Sequence, residues 1–129
     1  MKDNIPMKRQ KKIRVFSTGA KRDTDEGKLD YEGFLSPEVL KIYAEYMDKH
    51  MLMRDGSRRS SDDWQKGISK EVYMKSGLRH VHDVWMEHRG YESREGLRDA
   101  LCGVIFNFMG YLFQDIHEEK NKKTKTKNS

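Results

Sequence analysis

Apolar side chains recur with a helical period in three segments of the chain. The first segment follows Ser36, a suitable N-cap, and Pro37, a residue favoured at the first helical position. Its apolar stripe consists of Val39, Ile42, Tyr43, Tyr46 and Met47. This spacing of three and four residues predicts a helix that fades near His50.

The second predicted helix begins after the cap residue Ser69 and ends near Arg89, where Gly90 stops it. Residues 54–67 precede it and are predicted to form a loop, because they are rich in Gly, Ser and Asp. The apolar stripe of this helix consists of Val72, Leu78, Val81, Val84, Trp85 and His88.

The third predicted helix runs from near Ser93 to about Glu118 and is apolar on every side in its middle. One face carries Leu97, Leu101, Val104, Phe108, Tyr111 and Leu112, and the other positions carry Cys102, Ile105, Phe106, Met109 and Phe113. A helix of this kind is buried on all sides. It is therefore expected to be the centre of the fold or the seam of a homo-oligomer.

These elements predict an all-α fold, a small bundle of three main helices. Residues 17–34 mix glycine with charge and are expected to form an ordered loop, with a short extended piece near Leu29–Tyr31, and no segment indicates a sheet. The predicted organisation is a disordered basic tail (1–16), a single helical domain (17–119) and a disordered Lys-rich tail (120–129).

Charge is unevenly distributed along the 129 residues. The formal net charge is +5, yet residues 1–16 and 120–129 each carry +5, which leaves −5 for residues 17–119. The basic ends are interpreted as solvated tails or as weak nucleic-acid contacts through phosphate neutralisation. An acidic central region argues against a DNA-reading surface and suits a protein that binds phosphates through divalent metals.

Two features indicate a cytoplasmic protein. Cys102 is the only cysteine, which suits a reducing compartment, and its apolar neighbours predict a packed residue. The longest apolar stretch, residues 100–113, is shorter than the ~20 residues that a membrane span needs. No membrane partner is expected.

Four carboxylates are expected to meet where the second helix leads into the third. Asp83 and Glu87 share one face of the second helix with His80, and Glu95 and Asp99 share one face near the start of the third. A short connection makes these helices antiparallel neighbours. Converging carboxylates suit Mg²⁺ or Mn²⁺. A solvated acidic edge is the alternative interpretation.

Cationic and aromatic loop residues are the second candidate group. Lys21, Arg22 and Lys28 lie among glycines, where cations and backbone amides can bind a phosphate; an ordinary surface loop is the alternative. Trp64 could stack on a base and Lys66 could contact a phosphate, or Trp64 could pack its loop onto the fold. The phosphate-binding patterns G-x-x-x-x-G-K-[ST] and G-x-G-x-x-G are absent.

Several short motifs in a fixed order resemble a known family. They are GAKRD (19–23), GKLDYEGFLSPEVL (27–40), DWQKG (63–67), RH (79–80) and HRGYESREGLRDAL (88–101). Together they resemble small phage and prophage proteins with the N-terminal-type domain of dATP/dGTP diphosphohydrolases. The resemblance covers about residues 17–113.

The resemblance implies a metal-dependent, all-α hydrolase akin to MazG-like pyrophosphatases, which release pyrophosphate from (deoxy)nucleoside triphosphates. Purine deoxynucleoside triphosphates are the implied substrates. The positions that match the family are Lys21, Arg22, Lys28, Trp64, Lys66, Arg79, His80 and Asp99. The E-E-x-x-E and E-x-x-D boxes of MazG-like enzymes are absent, since both acidic pairs here are spaced by four residues.

The resulting assignment divides the site into three groups. His80 and Asp99 are the expected catalytic residues; Lys21, Arg22, Lys28, Trp64, Lys66 and Arg79 bind substrate; Asp83, Glu87, Glu95 and Asp99 bind Mg²⁺ or Mn²⁺. A non-catalytic phage module that binds a nucleotide or a protein, with basic tails on acidic partners, is the main alternative. A nucleic-acid accessory protein that works through the tails is the third.

Overall fold

The computed structural model of the protein describes residues 12–128, and the side chains of residues 12–124. This part of the chain forms two compact units, with the boundary between Ser36 and Pro37. Each unit is described by itself.

The first unit contains a β-hairpin and one short helix. Strands β1 (Ile13–Val15) and β2 (Lys21–Asp23) pair antiparallel, with Arg14 opposite Arg22. β-Branched Ile13 and Val15 favour a strand, and the positive φ of Gly19 (90°) lets the chain reverse. The prediction that the fold contains no sheet is therefore wrong.

The hairpin includes residues that the sequence assigns to a disordered tail. Residues 12–16 of the predicted tail 1–16 are ordered here, and residues 1–11 lie outside the described part. Helix α1 (Tyr31–Phe34) stands where a short extended piece is expected near Leu29–Tyr31. It forms because the Asp30 carboxylate accepts a hydrogen bond of 2.9 Å from the Gly33 N–H and caps the turn.

The second unit contains the three predicted helices. These are α2 (Pro37–Lys49), α3 (Lys70–His88) and α4 (Leu97–Asn128), with a short 3₁₀ helix (Asp63–Lys66) between α2 and α3. The Ser69 hydroxyl accepts a hydrogen bond of 3.3 Å from Val72 N, so the predicted cap of α3 is confirmed. Gly90, with φ of 88°, follows the end of α3, as expected.

Helix α4 differs from its prediction at both ends. It begins at Leu97 and not near Ser93, because the Ser93 hydroxyl accepts from Gly96 N and Gly96 adopts a positive φ of 83°. It continues to Asn128, so the predicted end near Glu118 is wrong, and the Lys-rich segment assigned to a tail is helical as far as residue 128. Lysine is a good helix former and stabilises a helix C-terminus.

Glycines allow α3 and α4 to pack closely. A Cβ atom on Gly103 would overlap the imidazole of His80, and one on Gly110 would overlap the ring of Tyr73, which is 2% exposed. The two antiparallel helices therefore approach until side chains of α3 touch the backbone of α4. This contact places His80 of α3 against the first turns of α4.

The α2 side of α4 carries the small apolar core of this unit. Trp64 of the 3₁₀ helix makes edge contacts with Phe113 and Phe106 at 4.8 and 6.1 Å between ring centroids. The buried apolar residues of the described chain are Tyr46, Met51, Tyr73, Ala100 and Cys102. Cys102 is packed as expected, and burial raises the pKa of its thiol.

Helix α4 is not buried on all sides by its own chain. Leu101 is 43% exposed and Leu112 is 59% exposed, both on the side that no other helix of this unit covers. Helix α4 nevertheless contacts α2, the 3₁₀ helix and α3, so its predicted position at the centre of the fold is confirmed, whereas its complete burial is not. The alternative role, the seam of an oligomer, stays a prediction.

Candidate metal and phosphate site

Three potential metal ligands converge where α3 leads into α4. His80 and Asp83 lie one turn apart on α3, and Glu95 lies in the connection before α4. His80 Nδ1 is 2.5 Å from Glu95 Oε1, a hydrogen bond in which the carboxylate accepts. One ligand atom from each of the three residues lies within 4.8 Å of the other two. The cluster thus joins α3 to the α3–α4 connection.

Asp83 is the buried member of the cluster and is paired with Arg94. Its residue exposure is 5%, and its Oδ2 accepts from Arg94 Nε at 3.0 Å and also from Arg94 Nη2. This hydrogen bonding lowers the pKa of the Asp83 carboxyl below its ordinary value. Both bonds end on the same oxygen, so Arg94 does not use Asp83 Oδ1.

The other two predicted carboxylate ligands have different partners. Glu87 Oε1 accepts from the backbone N–H of Ser93 at 2.9 Å and from its hydroxyl at 3.0 Å, which fixes the α3–α4 connection. Asp99 Oδ2 forms an ion pair with Lys49, the last residue of α2. Of the four carboxylates, Asp83 and Glu95 are brought together, with His80 as the third group.

Two carboxylates and one imidazole fit a hard or intermediate divalent cation. Carboxylate oxygens suit both Mg²⁺ and Mn²⁺, while an imidazole nitrogen suits a transition metal better than Mg²⁺. Ligand atoms lie ~2.1 Å from such a cation, so His80 and Glu95 would exchange their hydrogen bond for bonds to the metal. The chemistry of the donors therefore fits Mn²⁺ better than Mg²⁺.

An open groove lies beside Asp83 along the outer side of α3. Its volume is about 820 Å³, within the range of ~300–1,000 Å³ typical of ligand pockets. Its lining consists of Lys75, Leu78, Arg79, His82, Asp83, Met86, Glu92, Ser93 and Arg94. The lining holds three cations and two carboxylates, a small positive excess that favours an anion, and Leu78 and Met86 form an apolar wall. An anionic ligand with a flat apolar part suits this combination.

The remaining predicted substrate residues are dispersed. Arg79 lines the groove. Trp64 packs on α4, and Lys66 pairs with Asp63 at 3.0 Å. The loop cations belong to the first unit: Lys21 and Arg22 lie on the exposed strand β2, and Lys28 lies in the following turn. The substrate-binding roles of these residues stay predictions.

Arg94 and Lys49 are the partners that the sequence did not reveal. Arg94 stands among acidic residues of the α3–α4 connection, so its charge was a usable signal. Lys49 is 50 residues away from Asp99, and its contact depends on how α2 packs on α4. Local spacing gives no sign of that contact.

Comparison of the chain with protein-family models, with curated proteins and with solved structures gives no significant match. The resemblance to dATP/dGTP diphosphohydrolases therefore remains a prediction that depends on the five short motifs. Within residues 12–128, none of the helices offers a stretch apolar and long enough to cross a bilayer.

Proposed function

We propose that the protein is a metal-dependent (deoxy)nucleoside triphosphate diphosphohydrolase, acting on purine deoxynucleoside triphosphates. One observation carries the proposal: Asp83 belongs to the His80–Asp83–Glu95 cluster and also lines the groove that Lys75 and Arg79 border. A triphosphate has the negative charge that such a groove favours, and a purine has the flat apolar surface that its wall accommodates.

The proposed reaction adds water to the α-phosphorus and breaks the bond between that phosphorus and the oxygen bridging to the β-phosphate. The products are a nucleoside monophosphate and pyrophosphate. Mg²⁺ or Mn²⁺, held by His80, Asp83 and Glu95, would supply Lewis-acid polarisation and a lower pKa for a coordinated water. Side chains of the groove would make all other contributions to binding the substrate and to the reaction.

The groove cations would neutralise the triphosphate. Lys75 and Arg79 lie on α3, one turn apart, and can contact neighbouring phosphate oxygens. Arg94 is already bound to Asp83, so binding of a nucleotide with its cation would move this guanidinium from the carboxylate to a phosphate. Its side chain is 62% exposed and has room for that movement.

A non-catalytic nucleotide- or protein-binding module is the second candidate. It is favoured by the charge balance of the cluster, because Asp83 is neutralised by Arg94 and Glu95 is bonded to His80. Because the charges of these side chains are already paired, electrostatic attraction favours cation binding less than it would at unpaired carboxylates. In this alternative the basic tails contact acidic partners.

Further parts of the proposal concern the location and partners of the protein. We place it in the cytoplasm, as a homo-oligomer without a membrane partner. Weak contact of the basic tails with nucleic acid is included, since lysines neutralise phosphates.

A pyrophosphate-release assay with the eight common (deoxy)nucleoside triphosphates tests the enzyme proposal. Turnover is expected with Mn²⁺ or Mg²⁺ and is lost with excess EDTA. Arg79→Ala should raise KM at least about tenfold by removing a phosphate contact. Lys41→Ala is the matched control, because this exposed cation of α2 is outside the groove and should leave KM within about twofold.

Absence of turnover with all eight substrates would remove the enzyme proposal. Equilibrium binding of the same nucleotides would then decide the second candidate. Retained binding that Arg79→Ala weakens supports a nucleotide-binding module, and absence of binding leaves the groove without a nucleotide ligand.

A further inference from the structure

Within the residues that the structure describes, the α3–α4 pair has an apolar face that no other side chain covers. We use this name, the α3–α4 apolar face, for Met74, Val81 and Trp85 on α3 together with Leu97, Leu101 and Leu112 on α4. Their exposed fractions run from 37% for Met74 to 59% for Leu112. Large apolar side chains exposed together mark an interaction surface.

Helical periodicity places both stripes on the same side of the pair. On α3, Met74 and Val81 each follow by one residue a position that touches α4, namely Tyr73 and His80. On α4, Leu101 likewise follows Ala100, which is fully buried. One residue along a helix is a rotation of about 100° about its axis. In two antiparallel helices, a step of one residue from the line of contact therefore leads to the same side of the helix pair.

Helix α2 occupies the opposite side. Ser76 precedes Gly77, which touches α4, and Asp99 precedes the buried Ala100. Lys49 of α2 forms an ion pair with Asp99, and Tyr46 of α2 lines a small cavity together with Ser76. The α3–α4 pair is thus covered by α2 on one side and uncovered on the other. A further layer on the uncovered side would complete the bundle.

The part of the α3–α4 apolar face that α4 contributes carries no charged residue. Between Asp99 and Asp115 helix α4 has no charged residue, although it is exposed there. Six large apolar side chains of the face each keep more than a third of their surface exposed, and a standard interface takes about 800 Å² from each partner, so burial of the face would supply much of that share.

We propose that a second copy of this chain covers the α3–α4 apolar face. The two copies pack α3–α4 against α3–α4 about a two-fold axis and form a four-helix layer. A self-complementary interface uses the same patch on both partners, and an apolar face without charges on α4 meets its own copy without like-charge repulsion. This inference is independent of the enzymatic proposal, because no residue of the metal cluster takes part.

Sedimentation equilibrium of the full chain tests the proposed dimer. The wild-type protein should have twice the 15.3 kDa chain mass at micromolar concentration. Leu112→Glu should raise the dissociation constant at least about 100-fold, since each interface would bury two unpaired carboxylates. Its circular dichroism should be unchanged, because the position is 59% exposed in the single chain.

Leu52→Glu is the matched control. The exposed fraction of Leu52, 58%, is close to the 59% of Leu112. Leu52 lies in the turn after α2 and outside the proposed face. This variant should remain a dimer. A monomeric wild-type protein at about 100 µM, or a dimer that Leu112→Glu leaves intact, would overturn the proposal.

A second test is needed if the circular dichroism of Leu112→Glu shows that the variant is unfolded. Tryptophan fluorescence of the wild-type protein during dilution provides it. Trp85 is 57% exposed in the single chain and would be covered in the dimer. The tryptophan emission should therefore shift to the red on dilution through the dissociation constant. A constant emission over the range in which the mass falls would contradict burial of this face.

Discussion

Among single residues, Asp83 and Arg94 form a pair whose partners differ sharply in burial. The side chain of Asp83 is 7% exposed and that of Arg94 is 62% exposed. Removal of the arginine leaves a buried charge without its partner, whereas removal of the carboxylate charge leaves an arginine that water can solvate. The two halves of one ion pair should therefore differ in their effect on stability.

Urea unfolding in the presence of EDTA measures this asymmetry. Arg94→Ala should lower the free energy of unfolding more than Asp83→Asn does, because it leaves the buried carboxylate without its partner. Lys66→Ala, which breaks only the exposed pair with Asp63, should change it by less than ~0.5 kcal/mol. Equal effects of Arg94→Ala and Asp83→Asn would contradict the burial of Asp83.

The same pair makes stability depend on pH in the acidic range. Arg94 holds the pKa of the folded Asp83 carboxyl below the ordinary value of 3.8. The contribution of Asp83 is thus complete above pH 3.8 and is lost as pH falls through the lowered folded pKa. In urea unfolding from pH 6 to pH 3, the wild-type protein should lose more stability than Asp83→Asn; parallel curves would disprove the pKa shift.

The sequence predicts those parts of the His80–Asp83–Glu95 cluster that depend on spacing within one helix and on a short connection. His80 and Asp83 are three residues apart on a helix with clear caps, and the short connection brings Glu95 near them. The partners of Glu87 and Asp99 were not predictable, because the first depends on the turn geometry of the connection and the second on the packing of α2.

Among the elements, the contact between α3 and α4 depends on small residues. A Cβ at position 103 would overlap the His80 ring, whereas one at position 77 would come within 3.0 Å of the Phe108 ring edge and 3.3 Å of Asn107 Cβ, distances that small shifts can relieve. Gly103→Ala should therefore lower the free energy of unfolding by about 1–3 kcal/mol, and Gly77→Ala should cost less. Thermal or urea unfolding checks this order, and the reverse order would contradict the packing of the two helices.

The elements were predicted well where caps and periodicity agree, and poorly where they are weak. Ser69 and Gly90 marked the ends of α3 because cap chemistry is local. Strands of three residues with charged side chains, such as Lys21–Asp23, have no apolar alternation and were missed. The end of α4 was placed too early because lysine-rich segments read as tails, although lysine also favours helix.

For the whole molecule, the proposed dimer accounts for an apolar α4 that its own chain covers only in part. If unfolding requires dissociation, stability depends on protein concentration. The midpoint of thermal unfolding should rise with concentration for the wild-type protein and for Leu52→Glu, and should not change for Leu112→Glu. A midpoint independent of concentration in all three proteins would contradict a coupled dimer.

The proposed function of the whole molecule requires a divalent-cation site made by His80, Asp83 and Glu95. Titration of the full chain with Mn²⁺, followed by electron paramagnetic resonance, tests it directly. One Mn²⁺ per chain is expected, weakened at least about tenfold in Glu95→Gln and almost unchanged in Asp99→Asn, whose carboxylate pairs with Lys49. Absence of bound Mn²⁺ at millimolar concentration, or binding lost in Asp99→Asn but kept in Glu95→Gln, would contradict the assignment.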